Sequence, residues 1–496
     1  MLESTIINTM NNHAEKTALI YGNKSTTFSE VNQFTLSISQ HPAVNDNERI
    51  AVIMEQSDLC AMTIISLILL GKTVIPFDKK TSLNRMKKLI NSHDTSLVIT
   101  DSSLISDVKS TFDNMNIYNI STLDYSNIEH ISFDVKPKVK SSFILFTSGS
   151  TGMPKSVSIK NVDILKYIQF CQHDYQIHSD DVLINHAPFG FLLSFFELFS
   201  AFITGATLVI PTASERSNPV LINDLCSRHH VSIWNSVPSL LRIYQKFDFL
   251  EPLTKIRLLM FAGEAMEDNL LEKLRGPFPN ATFISYYGTT ETNTAFKAKI
   301  YPGVKTEHVS FGFPLPYVKF KIVDIHNEHK EVKEGHLLIS SDTMMDGYLN
   351  QTDDDSIVKL SDGNQYYRSK DIVKLSEDGL IYVGRLDWTI KVAGNRVSVV
   401  EVENTINQHP NISQAVVIPV QDPQIGNRLD CIIEFNGNKK IEKQILIDFC
   451  KEHLNYYAIP SQFMCSSEPF PLNKNQKVDR NLVIENYNRD IYQMIN

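Results

Sequence analysis

A loop rich in glycine and hydroxyl side chains lies at residues 146–155, where the sequence is FTSGSTGMPK. Its glycines let backbone N–H groups approach an oxyanion closely, and its hydroxyls add donors, so the loop suits a phosphate group. The P-loop of nucleotide hydrolases opens a helix directly after its lysine. Here Lys155 follows Pro154 and precedes the strand-favouring SVSIK, which predicts a hairpin-like connection between two strands instead. Alone, the loop fits a phosphate site or an ordinary polar surface loop.

Four later stretches carry side chains suited to a nucleotide. SYYGTTET at 285–292 offers aromatic rings for a base and a carboxylate for a magnesium ion. YYRSKDIVKL at 366–375 predicts a carboxylate, Asp371, just ahead of a strand. GRLDWTIKVAGNRV at 384–397 supplies an arginine and an aspartate, and PLNKNQKVDR at 471–480 leaves a lysine in a loop near the C-terminus.

Together with the loop, these stretches resemble the motifs of the adenylate-forming superfamily, which includes acyl-CoA synthetases, luciferases and the adenylation domains of non-ribosomal peptide synthesis. The loop matches the family's TSGSTG-x-PK signature, with Ser156 where a glycine is usual. The resemblance covers nearly the whole chain and is nearest in look to free-standing adenylation domains and D-alanine carrier-protein ligases. It implies that a carboxylate attacks the α-phosphorus of ATP, giving acyl-AMP and pyrophosphate, with Mg²⁺ as cofactor.

The resemblance also implies which residues contact the nucleotide. Asp371 would accept hydrogen bonds from the ribose hydroxyls, assisted by Arg385, and Thr290 and Glu291 would hold the α-phosphate, with Glu291 also binding Mg²⁺. The residues expected to cover the β- and γ-phosphates are Thr147, Ser148, Gly149, Ser150, Thr151, Gly152 and Lys155. Those expected around adenine are Tyr287 and Gly288 on one side, and Gly263, Glu264 and Ala265 on the other.

By the same resemblance, three residues near the C-terminus act in the two half-reactions. Lys477 matches a lysine that reaches the substrate carboxylate and the α-phosphate, and with Thr290 and Glu291 it completes the implied catalytic set. Asp387 matches the hinge about which a small domain turns, a movement typical of closing domains. Gly394 would then face the entrance for the thiol.

The segment APFGFLLS at 187–194 is similar to the APFSFDLS of amino-acid-activating relatives, whose aspartate pairs with the substrate's α-ammonium group. Leu192 takes that place. An ammonium group buried without a counter-charge costs several kcal/mol, so we expect a short or medium keto, hydroxy, aryl or fatty acid without a normally recognised α-amine. An α-amino acid would require Glu197 or another group as the missing carboxylate, and a β-amino acid stays possible. The pocket positions carried over are Leu192, Leu193, Phe196, Asn235, Met260, Ala262, Tyr286, Thr294 and Ala295.

The acceptor of the acyl group and the competing protein classes remain open at this point. We expect transfer to the phosphopantetheine thiol of a separate acyl or peptidyl carrier protein, with coenzyme A as the alternative. The departures at Ser156 and at Gln476, where the family has a glycine, leave room for a non-catalytic nucleotide-binding homologue, although the other matched residues argue against it. A kinase that releases ADP is a further alternative.

The spacing of apolar runs predicts the elements that position these residues. Up to about residue 345, strand-like runs such as ERIAVIM and ATLVIP alternate with helical-length segments such as SDLCAMTIISLILLG, as in α/β proteins with parallel-rich sheets. After about residue 385, TIKVAG, VVEVENTINQH, QAVVIPV, DCIIEF and IEKQILIDFCKEHL predict a small mobile α+β domain. We therefore predict an α/β core with a β-subdomain at 1–385 and an α+β domain at 386–496. The resemblance implies that the core binds ATP and the acid and that the α+β domain is a lid that carries Lys477.

Composition excludes several classes of protein. The formal net charge of −9 gives no basic footprint for nucleic acid. Six scattered cysteines without a C-x-x-C pair predict reduced core thiols and a cytoplasmic location. The N-terminus shows no targeting pattern, and the most apolar window, at 60–77, breaks at Gly71 after about eleven residues, where a membrane span needs about 20. We expect a buried helix followed by a strand there, and no membrane partner.

Overall fold

The computed structural model describes residues 2–125, 141–147, 154–247, 251–264, 266, 268–305, 309–351, 355–386, 389–422, 426–436, 441–471 and 478–495, with the side chains of 141 and 481 left out. Contacts divide the chain into two compact units. The N-terminal unit contains Met1–Lys79, Ile90–Phe146 and Ser156–Leu386, and the C-terminal unit contains Lys80–Leu89, Thr147–Lys155 and Asp387–Asn496. The domains predicted at 1–385 and 386–496 stay predictions as functional units.

Most strands belong to the N-terminal unit and are short. In chain order they are β1 Thr17–Tyr21, β2 Lys24–Thr27, β3 Arg49–Ile53, β4 Thr73–Phe77, β5 Leu97–Thr100, β6 Asn116–Asn119, β7 Ser141–Thr147, β8 Lys155–Lys160, β9 Val182–Ile184, β10 Thr207–Ile210, β11 Ile233–Ser236, β12 Leu258–Phe261, β13 Thr282–Thr289, β14 Asn293–Ile300, β15 Phe313–Pro314, β16 Val318–Asp324, β17 Asn327–Glu331, β18 Glu334–Ser341, β19 Ile357–Lys359, β20 Gln365–Ser376 and β21 Gly379–Arg385.

Two of the sheets are rich in parallel strands. The nine-stranded sheet has the order β15-β14-β13-β12-β11-β9-β10-β1-β2, and its central strands from β13 to β1 run parallel. The second sheet has the order β6-β5-β3-β4-β7-β8, with β6, β5, β3, β4 and β7 parallel. Parallel pairs need a crossover connection, so the predicted alternation of strands and helices is confirmed.

Helices connect these strands. They are α1 Leu2–Asn12, α2 Phe28–Ser39, α3 Pro42–Asn45, α4 Asp58–Leu69, α5 Leu83–Ile90, α6 Ile105–Thr111, α7 Asn161–Tyr175, α8 Phe195–Thr204, α9 Ala213–Arg216, α10 Pro219–Arg228, α11 Pro238–Tyr244 and α12 Asp268–Leu274, with short 3₁₀ turns at Ile120–Thr122 and Leu192–Ser194. The apolar window at 60–77 forms the buried helix α4 and then β4, as predicted. None of the helices within the described ranges is long and apolar enough to cross a membrane.

All six cysteines are buried and free, which confirms the prediction of reduced core thiols. Three of them, Cys60, Cys171 and Cys226, lie in helices of the N-terminal unit, and burial raises the pKa of each thiol. A buried thiol of this kind behaves as a small apolar side chain.

The third sheet is antiparallel, with the order β17-β16-β18-β20-β19 and β21 paired to β20. It corrects one prediction, because Asp371 lies inside β20 and not ahead of a strand. The register of β18 against β20 passes from Leu338↔Arg368 to His336↔Ile372, so three residues on β20 face one on β18. Lys370, with a φ of 63°, forms this bulge. A bulge re-aims a side chain without ending the strand.

The C-terminal unit contains β22 Thr389–Val392, β23 Asn395–Ser398, β24 Ile412–Asp422, β25 Gly426–Phe435, β26 Gln462–Cys465 and β27 Gln493–Met494, with α13 Val399–Ile406, α14 Lys443–His453, a 3₁₀ turn at Tyr456–Ala458 and α15 Arg480–Asn488. The predicted strands and helices of this region are confirmed. The grouping of Lys80–Leu89 with this unit was not predicted. Within the unit, Arg85 forms a buried ion pair of 2.6 Å with Glu401 on α13.

Candidate active site

The phosphate-loop candidate joins two neighbouring strands, as predicted. Thr147 is the last residue of β7 and Lys155 the first of β8, and the two strands lie side by side in the six-stranded sheet. The loop interior, with the predicted contacts Ser148, Gly149, Ser150, Thr151 and Gly152, lies outside the described residues.

His93 contacts the chain on both sides of this loop. Its Nε2 lies 2.8 Å from the hydroxyl of Ser156, and its ring packs against Phe146 at a centroid distance of 5.6 Å. His93 and Ser156 are both buried. Burial, and secondarily the charge of Arg49, lowers the pKa of His93 and favours the neutral ring. The serine that replaces the usual glycine therefore has a buried partner of its own. We call Phe146, Ser156 and His93 the loop base.

A second set of contacts joins the loop base to Glu291. The backbone N–H of Ser156 donates to Asn350 Oδ1 at 3.0 Å, and its carbonyl accepts from the N–H of Leu349 at 2.9 Å. The neighbouring Tyr348 donates its hydroxyl to Glu291 Oε1 at 2.7 Å. Segment 348–350 thus links the end of the phosphate-loop candidate to the predicted magnesium ligand.

The hairpin of β13 and β14 supplies several predicted residues at once. Thr290 and Glu291 lie in its turn, and Glu291 is buried. A register shift after Tyr287 marks a bulge, and a Cβ on Gly288 would lie 2.0 Å from the backbone oxygen of Asn293, so only glycine fits there. Successive side chains of a strand point to opposite faces, which separates Tyr286 from Tyr287.

Tyr287, Asp371 and Arg385 form a buried cluster. The Tyr287 hydroxyl donates to one carboxylate oxygen of Asp371, and Arg385 Nη1 donates to the other. Asp371 is 1% exposed. Burial and the negative charge of Asp371 raise the pKa of Tyr287. The Tyr287 ring stacks on Phe311 at a centroid distance of 4.5 Å. The predicted ribose acceptor and one predicted adenine contact therefore touch each other.

The Gly263–Glu264 segment follows β12. Gly263 has a φ of 89°, a conformation that favours glycine. Glu264 accepts a hydrogen bond of 3.0 Å from the backbone N–H of Ser239, in the first turn of α11. A carboxylate is stabilised at a helix N-terminus. This contact with α11 explains an acidic side chain at position 264 without any role in binding a nucleotide. Ala265 lies outside the described residues.

The predicted acid-pocket positions converge on one part of the N-terminal unit. Asn235 on β11 is in register with Met260 on β12. The Tyr286 hydroxyl donates to Asn235 Oδ1 at 2.8 Å, and Asn235 Nδ2 donates to the carbonyl of Leu193 at 3.2 Å. The apolar members share one hydrophobic cluster, with Leu192 and Leu193 half-buried at its margin; those in its buried part are Phe196, Met260, Ala262, Tyr286 and Ala295. Thr294 is also buried.

Two predicted residues, Lys477 and Asp387, lie outside the described residues. Gly394 lies in the turn between β22 and β23 with a φ of 80°. Two contributors were not predicted, namely His93 and Tyr348, and a third, Glu197, was named without a pocket position. His93 and Tyr348 act through partners far away in sequence, which no local pattern reveals. Glu197 was considered only as a substitute carboxylate, although its position in an otherwise apolar run was a visible signal.

The described residues contain no cluster of three or more His, Cys, Asp or Glu side chains that could hold a metal ion. Mg²⁺ is usually bound by one or two carboxylates together with substrate phosphates and water. Glu291 can supply one such carboxylate.

Comparisons with known proteins identify the family. A family model described as AMP-binding enzyme matches residues 7–349, and one described as AMP-binding enzyme C-terminal domain matches residues 401–477. The chain is 27% identical over 457 residues to the D-alanine–D-alanyl carrier protein ligase of Bacillus licheniformis, covering 89% of this chain and 90% of the relative. It is 26% identical over 487 residues to Gramicidin S synthase 2 of Brevibacillus brevis, covering 95% of this chain but 11% of that relative.

Solved structures share the fold. The adenylation domain AlmE of Vibrio cholerae, in complex with glycyl-adenosine-5'-phosphate, has a TM-score of 0.82 at 20% identity and covers 98% of both chains. The o-succinylbenzoate CoA synthetase of Bacillus subtilis has a TM-score of 0.83 at 21% identity, covering 97% of this chain and 98% of that chain. The chain therefore belongs to the AMP-binding enzyme family, and it is an ATP-dependent, AMP-forming ligase of the adenylate-forming superfamily.

Proposed function

We propose that this ligase activates a small carboxylic acid as its adenylate and then transfers the acyl group to the phosphopantetheine thiol of a separate carrier protein. In the first step a carboxylate oxygen attacks the α-phosphorus of ATP, and pyrophosphate leaves with the electron pair of the broken bond. In the second step the thiol sulfur attacks the acyl carbon and loses its proton, and AMP leaves.

One observation carries the proposal: consecutive residues of β13 serve two different sites. The Tyr286 hydroxyl donates a hydrogen bond to Asn235 in the predicted acid pocket, whereas the Tyr287 hydroxyl donates one to Asp371 at the predicted ribose site. The same strand leads into the turn that holds Thr290 and Glu291. A strand with the acid on one face and the nucleotide on the other would hold the two reactants close together. Such positioning can lower the activation barrier of the reaction by about 7–11 kcal/mol.

The proposed roles of the polar residues follow from charge. Asp371 would accept from the ribose hydroxyls, while Tyr287 and Arg385 hold its carboxylate in place. The 147–155 loop would cover the β- and γ-phosphates, and Lys477 would stabilise the negative charge that develops between the carboxylate and the α-phosphate. Asp387 would act as the hinge. A bound Mg²⁺ would neutralise phosphate charge, and Glu291 would be its protein ligand.

A carrier protein is the favoured acceptor because of the relatives. The ligases of Bacillus licheniformis and Lactococcus lactis are named for a carrier protein, and one solved neighbour is an adenylation domain fused to such a carrier. Coenzyme A is the alternative, because another neighbour is a CoA synthetase. Since both carry the same thiol arm, a direct competition between them decides the point. The cytoplasmic location stays a prediction.

The test is acid-dependent ATP–pyrophosphate exchange over a panel of α-amino, β-amino, keto, hydroxy, aryl and fatty acids. We expect at least one acid to support exchange, and we expect Asp371→Asn to lower the rate about 100-fold or more, because each charge-assisted hydrogen bond contributes about 1.5–3 kcal/mol. Asp362→Asn, an exposed carboxylate in the turn before β20, is the matched control and should leave the rate unchanged.

The active acid is then offered to the enzyme with equal concentrations of coenzyme A and a holo carrier protein, and the acylated thiols are measured by mass spectrometry. Preferential loading of the carrier supports the proposal, and preferential loading of coenzyme A contradicts the proposed acceptor. Exchange with no acid in the panel would refute the proposed activity itself.

A further inference from the structure

Glu197 is a fully buried acid for which the described residues supply no counter-charge. It lies in the first turn of α8, and none of its surface is exposed. Neither of its carboxylate oxygens has a hydrogen-bond partner of normal geometry among the residues that the structure describes. Acidic side chains are almost never fully buried unless they are paired. The site therefore needs either a proton on the carboxyl group or a cation supplied by a ligand.

The neighbours of Glu197 are neutral. Burial raises the pKa of Glu197 to about 8, and the opposing effects come from a backbone hydrogen bond and from the Asn235 amide, not from a cation. That amide already donates to the carbonyl of Leu193 and accepts from the Tyr286 hydroxyl. Burial, followed by the negative charge of Glu197, raises the pKa of Tyr286. The tyrosine is therefore a neutral donor whose hydrogen is directed at Asn235.

Glu197 lies beside the predicted acid pocket. Asn235 and Tyr286 are predicted pocket residues, and both interact with it. Leu192 occupies the position at which the resemblance places the aspartate for an α-ammonium group. It belongs to the 3₁₀ turn directly before α8, five residues ahead of Glu197. The backbone position that carries the negative charge is thus displaced by about 1.4 helical turns, a rise of about 7.5 Å, which exceeds a single C–C bond of about 1.5 Å.

We propose that the Glu197 carboxylate forms an ion pair with the ammonium group of the substrate. The substrate is then an amino acid whose amine is at the β-carbon or further from the carboxylate. The inference rests on the proposed function and names its substrate class. It reconciles an apolar residue at position 192 with relatives that are named for amino acids. An incoming ammonium group would leave Glu197 ionised and paired, so that the complex buries a neutral pair instead of a single charge.

The enzyme should prefer an amino acid strongly, but not absolutely, over the same acid without the amine. A site built to bond an N–H group rejects an analogue that lacks it, because its own polar group is then left unpaired. Glu197 has an alternative, since it can keep a proton when a desamino acid binds. We therefore expect a preference of about 100-fold in kcat/KM, which corresponds to about 2.7 kcal/mol.

The experiment compares matched acid pairs in ATP–pyrophosphate exchange: β-alanine with propionate, and 4-aminobutyrate with butyrate. The wild-type enzyme should prefer the amino member of at least one pair about 100-fold. Glu197→Gln should reduce that preference to less than about tenfold while it keeps the rate with the desamino acid within a few-fold. Asp163→Asn is the matched control, because Asp163 on α7 is also a buried acid with a raised pKa, faces Lys160, and lies outside the predicted pocket.

The outcomes separate this inference from the proposed function. Exchange that is faster with the desamino acids overturns the role of Glu197 and leaves the ligase activity standing. An amine preference that persists unchanged in Glu197→Gln also overturns it, because another group must then bind the amine. If Glu197→Gln does not fold, the wild-type ratio alone decides. Exchange with no acid at all refutes the proposed function, and this inference fails with it.

Discussion

Replacing Glu197 by glutamine should change how the stability of the N-terminal unit depends on pH. The pKa of this carboxyl group is raised by burial from its ordinary value of 4.5 to about 8. Between these values the folded protein keeps a proton that the unfolded chain releases. Stability must therefore fall as pH rises through this window, and the fall ends once the pH exceeds the folded pKa.

The size of the effect follows from the two pKa values. Each pH unit inside the window changes the free energy of unfolding by about 1.4 kcal/mol. From about pH 5.5 to about pH 7.5, the wild-type protein should thus lose about 2.7 kcal/mol that Glu197→Gln does not lose. Other titrating groups are common to both proteins and cancel in the difference. The titratable neighbours on the packed elements, Tyr286, Tyr167 and Cys171, have raised pKa values and stay neutral over this range.

Urea unfolding followed by tryptophan fluorescence measures this difference. The sequence has two tryptophans, so Trp388→Phe leaves Trp234, which is buried on β11 beside Asn235 and reports on the unit that holds Glu197. The free-energy gap between the two proteins should shift in favour of Glu197→Gln as pH rises from about 4.5 to about 8, and it should stay constant below this window. Parallel pH profiles would refute the assignment of a buried, unpaired carboxyl group.

Three further predictions concern the loop base, the C-terminal lysine and the acid pocket. Ser156→Ala should lower the free energy of unfolding by about 1–3 kcal/mol, because it leaves buried His93 without its partner; additive losses in a double-mutant cycle with His93→Leu would contradict the pairing. Lys477→Ala should abolish pyrophosphate exchange while calorimetry shows nearly unchanged ATP binding, and an unchanged exchange rate would contradict its role. Leu192→Asp should shift substrate preference toward α-amino acids in the same exchange panel, and the lack of any shift would argue against the pocket alignment.

Regular elements were predictable from the sequence because their patterns are local. The apolar stretch that became α4 and β4, and the segment that became α13, follow from periodicity and from the residues at their ends. The prediction that Asp371 lies ahead of a strand was wrong. The polar sequence Ser369-Lys370-Asp371 suggests a turn, but a bulge at Lys370 lets the strand continue through it. The positive φ that allows this is a property of the paired strands, not of the local sequence.

Long-range polar partners were not predictable. His93 and Ser156 are 63 residues apart, and Tyr348 and Glu291 are 57 apart, so neither pair leaves a local pattern. Within the N-terminal unit, Asp371 contacts both Tyr287 and Arg385, and the predicted pocket residues Tyr286 and Asn235 share a hydrogen bond, contacts that the motif order alone did not reveal. The substitution at Leu192 was visible at once, but only the burial of Glu197 shows an acid beside the same pocket.

The burial of all six cysteines bears on the fate of the activated intermediate. An acyl-adenylate is a reactive electrophile, and a thiolate is the nucleophile that captures it most readily. The enzyme's own thiols are enclosed in its core, and burial raises the pKa of Cys60, Cys171 and Cys226, so they offer no accessible thiolate at neutral pH. Under the proposed function, these six thiols would not compete with the acceptor thiol for the activated acyl group.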